Sequence, residues 1–125
     1  MLIQRLAELP EFIAGDHTRL REMLHPHKQP LPLSYSLAHA TLACGHWSSL
    51  HVLASSEVYY ILQGAGRVEI DGEQRDVLPG DTIYIPPRSA QRIFSIGPAD
   101  LEFLCIVDPP WRAEDETVLE DKNRK

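Results

Sequence analysis

Residues 51–64 read HVLASSEVYYILQG, and this stretch decides the fold. Successive strand side chains point to opposite faces, so His51 and Leu53 share one face. In EVYYIL, Glu57, Tyr59 and Ile61 share one face while Val58, Tyr60 and Leu62 share the other. Both faces are largely apolar. One packs a core; the other needs a cover, which a second sheet or a partner subunit supplies. The expectation is a homodimer.

The same strand language continues on either side. LSYSLAHATLAC, residues 33–44, is rich in strand formers and small residues. GRVEIDGEQRDV, residues 66–77, places two short strands around Asp71-Gly72, a hairpin signal. LPGDTIYIPP, residues 78–87, reads as turn, strand and proline stop, and QRIFSIGPADLEFLCIV, residues 91–107, as two strands about Gly97-Pro98. Short strands at regular spacing with Gly, Pro and Asp punctuation predict an all-β antiparallel sandwich or barrel.

The flanks differ. Leu2, Ile3, Leu6 and Leu9 stand at helix-like spacing, ended by Pro10. GDHTRLREML, residues 15–24, fits a short helix or a strand and is read as a strand; prolines 26, 30 and 32 then make a loop. Pro109 and Pro110 stop the last strand, RAEDETVLED suggests a short helical turn, and the final residues are expected to fray. The predicted organisation is an N-terminal extension at 1–17, a barrel at 18–108 and a C-terminal tail at 109–125.

Composition excludes several functions. The chain has 125 residues, the size of one domain, with 12 Lys and Arg against 18 Asp and Glu and a formal charge of −6. With no basic run, it is a poor partner for nucleic acid or anionic membrane. No apolar run approaches the roughly 20 residues that span a bilayer. MLIQRLAELPEF interleaves Arg5 and Glu8 with its apolar residues, unlike a secretory signal. Cys44 and Cys105 are too few for a disulfide framework. These features predict a cytoplasmic protein with two reduced, partly buried thiols.

Residues 45–64 set Gly45, His51, Leu53, Glu57 and Gly64 at spacings that resemble the first cupin motif: a glycine, two histidines one residue apart, a glutamate and a glycine. Residues 80–95 set Gly80, Pro86, Pro87, Arg88, Gln91 and Ser95 at spacings similar to the second motif, whose usual residues are glycine, proline, glycine, histidine and asparagine. The ending CIVDPPWRAEDE is similar to that of a group of small uncharacterised prokaryotic cupins, in which inward histidine, glutamate and glutamine positions recur. The resemblance covers roughly residues 18–108 and implies a jelly-roll barrel of the cupin 2 type.

In typical cupins, three imidazoles and a carboxylate hold one transition metal inside the barrel. Here Leu53 cannot ligate, and Gln91 offers an amide oxygen, harder and weaker than imidazole. The resemblance therefore implies a divalent metal (Fe, Mn, Zn or Ni) at His51, Glu57 and Gln91, beside a bound small molecule. Isomerases, dioxygenases and lyases all occur among small cupins, and nothing in the sequence selects one. The alternative is a non-catalytic ligand-binding or sensing barrel, in which the three side chains satisfy one another without metal. Tyr59, His39, Leu53, Cys105 and Arg88 are candidate pocket residues. Tyr59 offers a ligand or an acid/base, His39 a replacement imidazole, and Arg88 an anion contact at the mouth. His25 and His27 flank Pro26 and are read as surface residues.

Overall fold

The computed structural model describes residues 1–120. Among them, eleven strands form two antiparallel sheets, as the turn punctuation predicts. The strands are β1 (Phe12–Ile13), β2 (Arg19–Leu24), β3 (Ser36–Leu42), β4 (Leu50–Leu53), β5 (Ser56–Gln63), β6 (Gly66–Ile70), β7 (Glu73–Val77), β8 (Thr82–Ile85), β9 (Ala90–Ser95), β10 (Leu101–Asp108) and β11 (Glu116–Glu120). One sheet has the order β1-β2-β3-β10-β5-β8 and the other β11-β4-β9-β6-β7.

The alternation in the sequence becomes the two faces of each sheet. Along β5, Glu57, Tyr59 and Ile61 are buried, whereas Tyr60 and Leu62 on the outer face are 41% and 42% exposed. Ile61 and Phe103 from one sheet form a single core with Val68, Val77 and Ile93 from the other. Each such side chain, fully buried, contributes roughly 1.5–3 kcal/mol through the hydrophobic effect. This apolar core continues toward β1, β2 and β11, where a few polar side chains join it around a cavity.

Two turns set the geometry. Asp71 and Gly72, both at positive φ (50° and 87°), close the β6–β7 hairpin as a two-residue turn requires. Gly64 ends β5 at φ 84°, and a Cβ there would lie 2.5 Å from the carbonyl oxygen of Asp100. Only glycine admits that approach of the chain leading into β10.

The flanks depart from expectation. The helix-like spacing of residues 1–9 yields a single 3-10 turn, Leu6–Glu8, because Pro10 and the absence of a buried face leave no longer helix to stabilise. GDHTRLREML supplies β2, as its strand reading has it. In the tail, the short turn falls at Ala113–Asp115, and the chain then continues as β11, which pairs with β4. The fraying expected of the final residues falls largely outside the described part. Cys105 is buried, whereas Cys44 is exposed.

Candidate functional site

The end near β1, β2 and β11 encloses a cavity of about 60 Å³, lined chiefly by β2, β3, β4, β5 and β10 and by the segments that carry Asp16, Trp111 and Glu116. That is room for a few water-sized groups. His51 anchors it from β4. The ring is 2% exposed, and its Nδ1–H donates to the Ser49 carbonyl oxygen at 2.7 Å. This bond fixes Nδ1 as a donor and turns Nε2 into the cavity, 3.6 Å from Asp16 Oδ2. Ligand atoms of Asp16, His51 and Glu116 all lie within 4.8 Å of one another.

Asp16 reaches this point from the β1–β2 loop. Its carbonyl accepts the Ser49 N–H at 2.8 Å, and its Oδ1 accepts the Thr18 N–H at 3.1 Å. His17, at φ 73°, adds a 2.8 Å bond between Nδ1 and Ser49 Oγ, so the loop is tied to the start of β4. Glu116 arrives on β11, opposite Leu53 in the register. Its carboxylate rests against Gly15, where a Cβ would fall 2.5 Å from Oε1. Burial raises the Glu116 pKa and the Asp16 charge raises it further, while His51 and the Trp111 indole oppose the shift.

Glu57 and Gln91 form a second, adjoining arrangement. Tyr59 Oη–H donates to Gln91 Oε1 at 3.0 Å, and Gln91 Nε2–H donates to Glu57 Oε1 at 3.1 Å. Gln91 is 1% exposed and pairs with His51 in the β4–β9 register. Burial pushes the Glu57 pKa up to about 7; the neighbouring Asp16 and Glu116 charges add to the rise, and His51 and Gln91 partly offset it. Burial also lifts the Tyr59 phenol and the Cys105 thiol well above their ordinary ranges, so both stay protonated at neutral pH.

The residues expected at the site therefore separate. His51, Glu57, Tyr59, Leu53 and Cys105 line the cavity. Gln91 sits behind it with its amide oxygen already bonded to Tyr59, so it bridges two side chains instead of presenting an oxygen beside His51. His39 does not replace the missing imidazole: it stands on the opposite face of β3 from Ala38, and its Nε2–H donates to Glu102 Oε1 at 3.0 Å. Arg88 is not a pocket residue. It takes φ 66° in the turn before β9, donates its backbone N–H to Leu53 O and sends its side chain into solvent. His25, read as a surface residue, is buried; its Nδ1 accepts the His27 N–H and its Nε2–H donates to Trp111 O. Asp16 and Glu116 were not singled out from sequence, because no local spacing links them to His51.

The donor set is chemically suited to a cation. Four carboxylates line the cavity, Asp16, Glu57 and Glu116 with His51 and Glu22 toward the outer groove, and no Lys or Arg is among the described lining residues. One imidazole nitrogen with carboxylate oxygens is a hard set, fitting Mn²⁺ or Fe²⁺ better than Cu⁺.

Comparison with known proteins adds the following. The family described as the cupin domain, of the Cupin_2 type, matches residues 38–107. An uncharacterized protein of Methanocaldococcus jannaschii, MJ1618, is 40% identical over 114 residues, covering 90% of each chain. Among solved structures, a predicted oxalate decarboxylase of Thermotoga maritima is 22% identical with a TM-score of 0.76, over 86% of this chain and 99% of that one. The nucleoside dehydratase Pac13 is 19% identical with a TM-score of 0.78, over 97% and 92% of the two chains. A cupin 2 conserved barrel protein of Salinispora arenicola is 20% identical with a TM-score of 0.73, over 91% of each. At these identities the structures share the fold. No helix among the described residues is long and apolar enough to cross a membrane.

Proposed function

The chain belongs to the cupin family, and from that premise we propose that it holds a divalent metal in its barrel at Asp16, His51 and Glu116, beside a small bound molecule. The observation that carries this reading is the convergence of Asp16 and Glu116 on the Nε2 side of a buried histidine, in a cavity with no Lys or Arg among its described lining residues. Like carboxylates buried together repel unless protons or a cation neutralise them. Mn²⁺ and Fe²⁺ fit the donors best, and a bound ion supplies Lewis acidity or orientation to a substrate oxygen.

The chain's own residues provide the rest. In the metal-free protein burial raises the Glu57 pKa to about 7, within the range that suits a general acid or base. Tyr59 and Gln91 hold its carboxylate in place. Leu53, Phe103 and Val107 keep the wall apolar and limit water.

The test is metal analysis by mass spectrometry and calorimetry on protein purified without a histidine tag. Close to one equivalent of Mn²⁺ or Fe²⁺ should bind, and Asp16→Asn and Glu116→Gln should each weaken binding by roughly tenfold or more. Gln91→Ala should leave it nearly unchanged. Loss of metal in Gln91→Ala but not in Asp16→Asn would restore the set His51, Glu57 and Gln91.

A second reading is a metal-free ligand-binding barrel. It is favoured by the closed chain Tyr59–Gln91–Glu57, in which Gln91 is satisfied internally. In that case organic ligands stabilise the protein in the presence of EDTA and metals do not. The proposal also includes a homodimer formed through the outer face of β5 and β8.

A further inference from the structure

We infer that the cavity selects small neutral or cationic hydroxyl compounds, such as amino alcohols, and turns carboxylates away. The inference rests on the metal reading above and names the substrate class of that site. Asp16 and Glu116 together neutralise a divalent ion, and His51, with Nδ1–H donating to Ser49, adds no charge through Nε2. The loaded centre then has no net positive charge with which to draw an anion. Glu57 lies on the same cavity wall and contributes negative charge or none.

The entrance adds no excess of positive charge. Phe12, Glu22 and Trp111 line both the cavity and the groove outside it, and among the described residues of that groove Glu22 and Glu114 match Lys28 and Arg112 in number. Both of those cations already face a carboxylate. Lys28 Nζ lies 2.9 Å from Glu22 Oε1 and 5.7 Å above the Phe12 ring. Arg112 forms two bonds to the Asp115 carboxylate, at 2.9 and 2.8 Å. The Asp115 carboxylate offsets the Arg112 charge and takes its Nε and one Nη2 donor, so the pull of this side chain on a second anion is reduced. An aromatic mouth with a carboxylate beside it favours an ammonium group passing over the ring faces.

Two probes of equal size isolate the charge: 2-aminoethanol and glycolate share a hydroxymethyl group and differ in the sign of the other end. Each is titrated into Co²⁺-loaded protein while the visible spectrum and the melting temperature are followed. The expected result is that 2-aminoethanol perturbs both readouts at concentrations roughly tenfold below those needed for glycolate. Glu57→Gln, which keeps the shape and removes a carboxylate, should narrow or reverse that gap. Tighter binding of glycolate to the unaltered protein overturns the inference, and so does binding of neither probe. If Co²⁺ fails to bind, the metal reading falls on its own. The melting temperature of the metal-free protein then decides the charge preference, because the same carboxylates predict the same order.

Discussion

Replacing Gly15 by alanine would put a methyl group 2.5 Å from Glu116 Oε1. The end of the glutamate side chain must yield, since it is more flexible than the tied loop around Asp16. Gly15→Ala should therefore weaken Mn²⁺ binding by roughly tenfold while the melting temperature changes little, because no backbone contact is strained. Calorimetry showing unaltered affinity would remove Glu116 from the proposed ligand set. Glu57 gives a prediction of a different kind. Its pKa rises from 4.5 to about 7 on folding. Between those values the folded protein retains a proton that the unfolded chain has released. Stability contributed by this group is therefore present at low pH and declines as pH rises through that window, then stays flat above it. The change is on the order of 3 kcal/mol. Urea midpoints measured in EDTA should fall between pH 5 and 7.5, and Glu57→Gln should flatten the slope. Glu116, also raised, leaves a residual slope of the same sign.

At the scale of elements, β11 has two roles that mutation can separate. It covers one edge of β4 and it delivers Glu116. A chain ending at Arg112 should lose metal uptake and several degrees of melting temperature, whereas Glu116→Gln should lose uptake with little change in melting temperature. Equal melting temperatures for the shortened and full chains would mean that β11 adds nothing to the sheet. The same element shows what could be read from sequence. β5 was legible down to its faces, because a period of two is written locally in EVYYIL, and the Asp71-Gly72 hairpin was legible from turn chemistry. His51 and Glu57 were singled out through the resemblance of residues 45–64 to the first cupin motif, and both line the cavity. Asp16 and Glu116 were not singled out, because their approach depends on how β11 and the β1–β2 loop register against β4. RAEDETVLED is acidic throughout, so nothing in it distinguishes Glu116 from its neighbours. Gln91 lies beside His51 on β9, but it bonds Tyr59 and Glu57 behind the cavity, and spacing does not encode the partners of its amide.

The whole molecule carries an uneven surface. The outer face of the six-stranded sheet exposes Tyr60 and Leu62, and Tyr84 on β8 is 60% exposed. Scattered apolar side chains need no cover, but neighbours on paired strands make a patch that a second copy can bury. Tyr60→Glu with Tyr84→Glu should convert dimers to monomers in light scattering without loss of β-sheet circular dichroism. A parent protein already monomeric at high concentration refutes the dimer. Metal binding should leave that equilibrium unchanged, since the cavity opens near β1 and β11 and β8 lies at the far edge of its sheet.

The scattering of Asp16, His51 and Glu116 along the chain also governs the order of events in folding. β10 must find β3 and β5 across the intervening strands before the sandwich closes, and such non-local pairings slow folding. The three proposed ligands come together only where the β1–β2 loop and β11 dock on β4, and that docking is expected to follow closure of the sandwich. A bound ion then stabilises the native state but not the transition state. In a chevron plot, saturating Mn²⁺ should lower the unfolding limb and leave the refolding limb where it was.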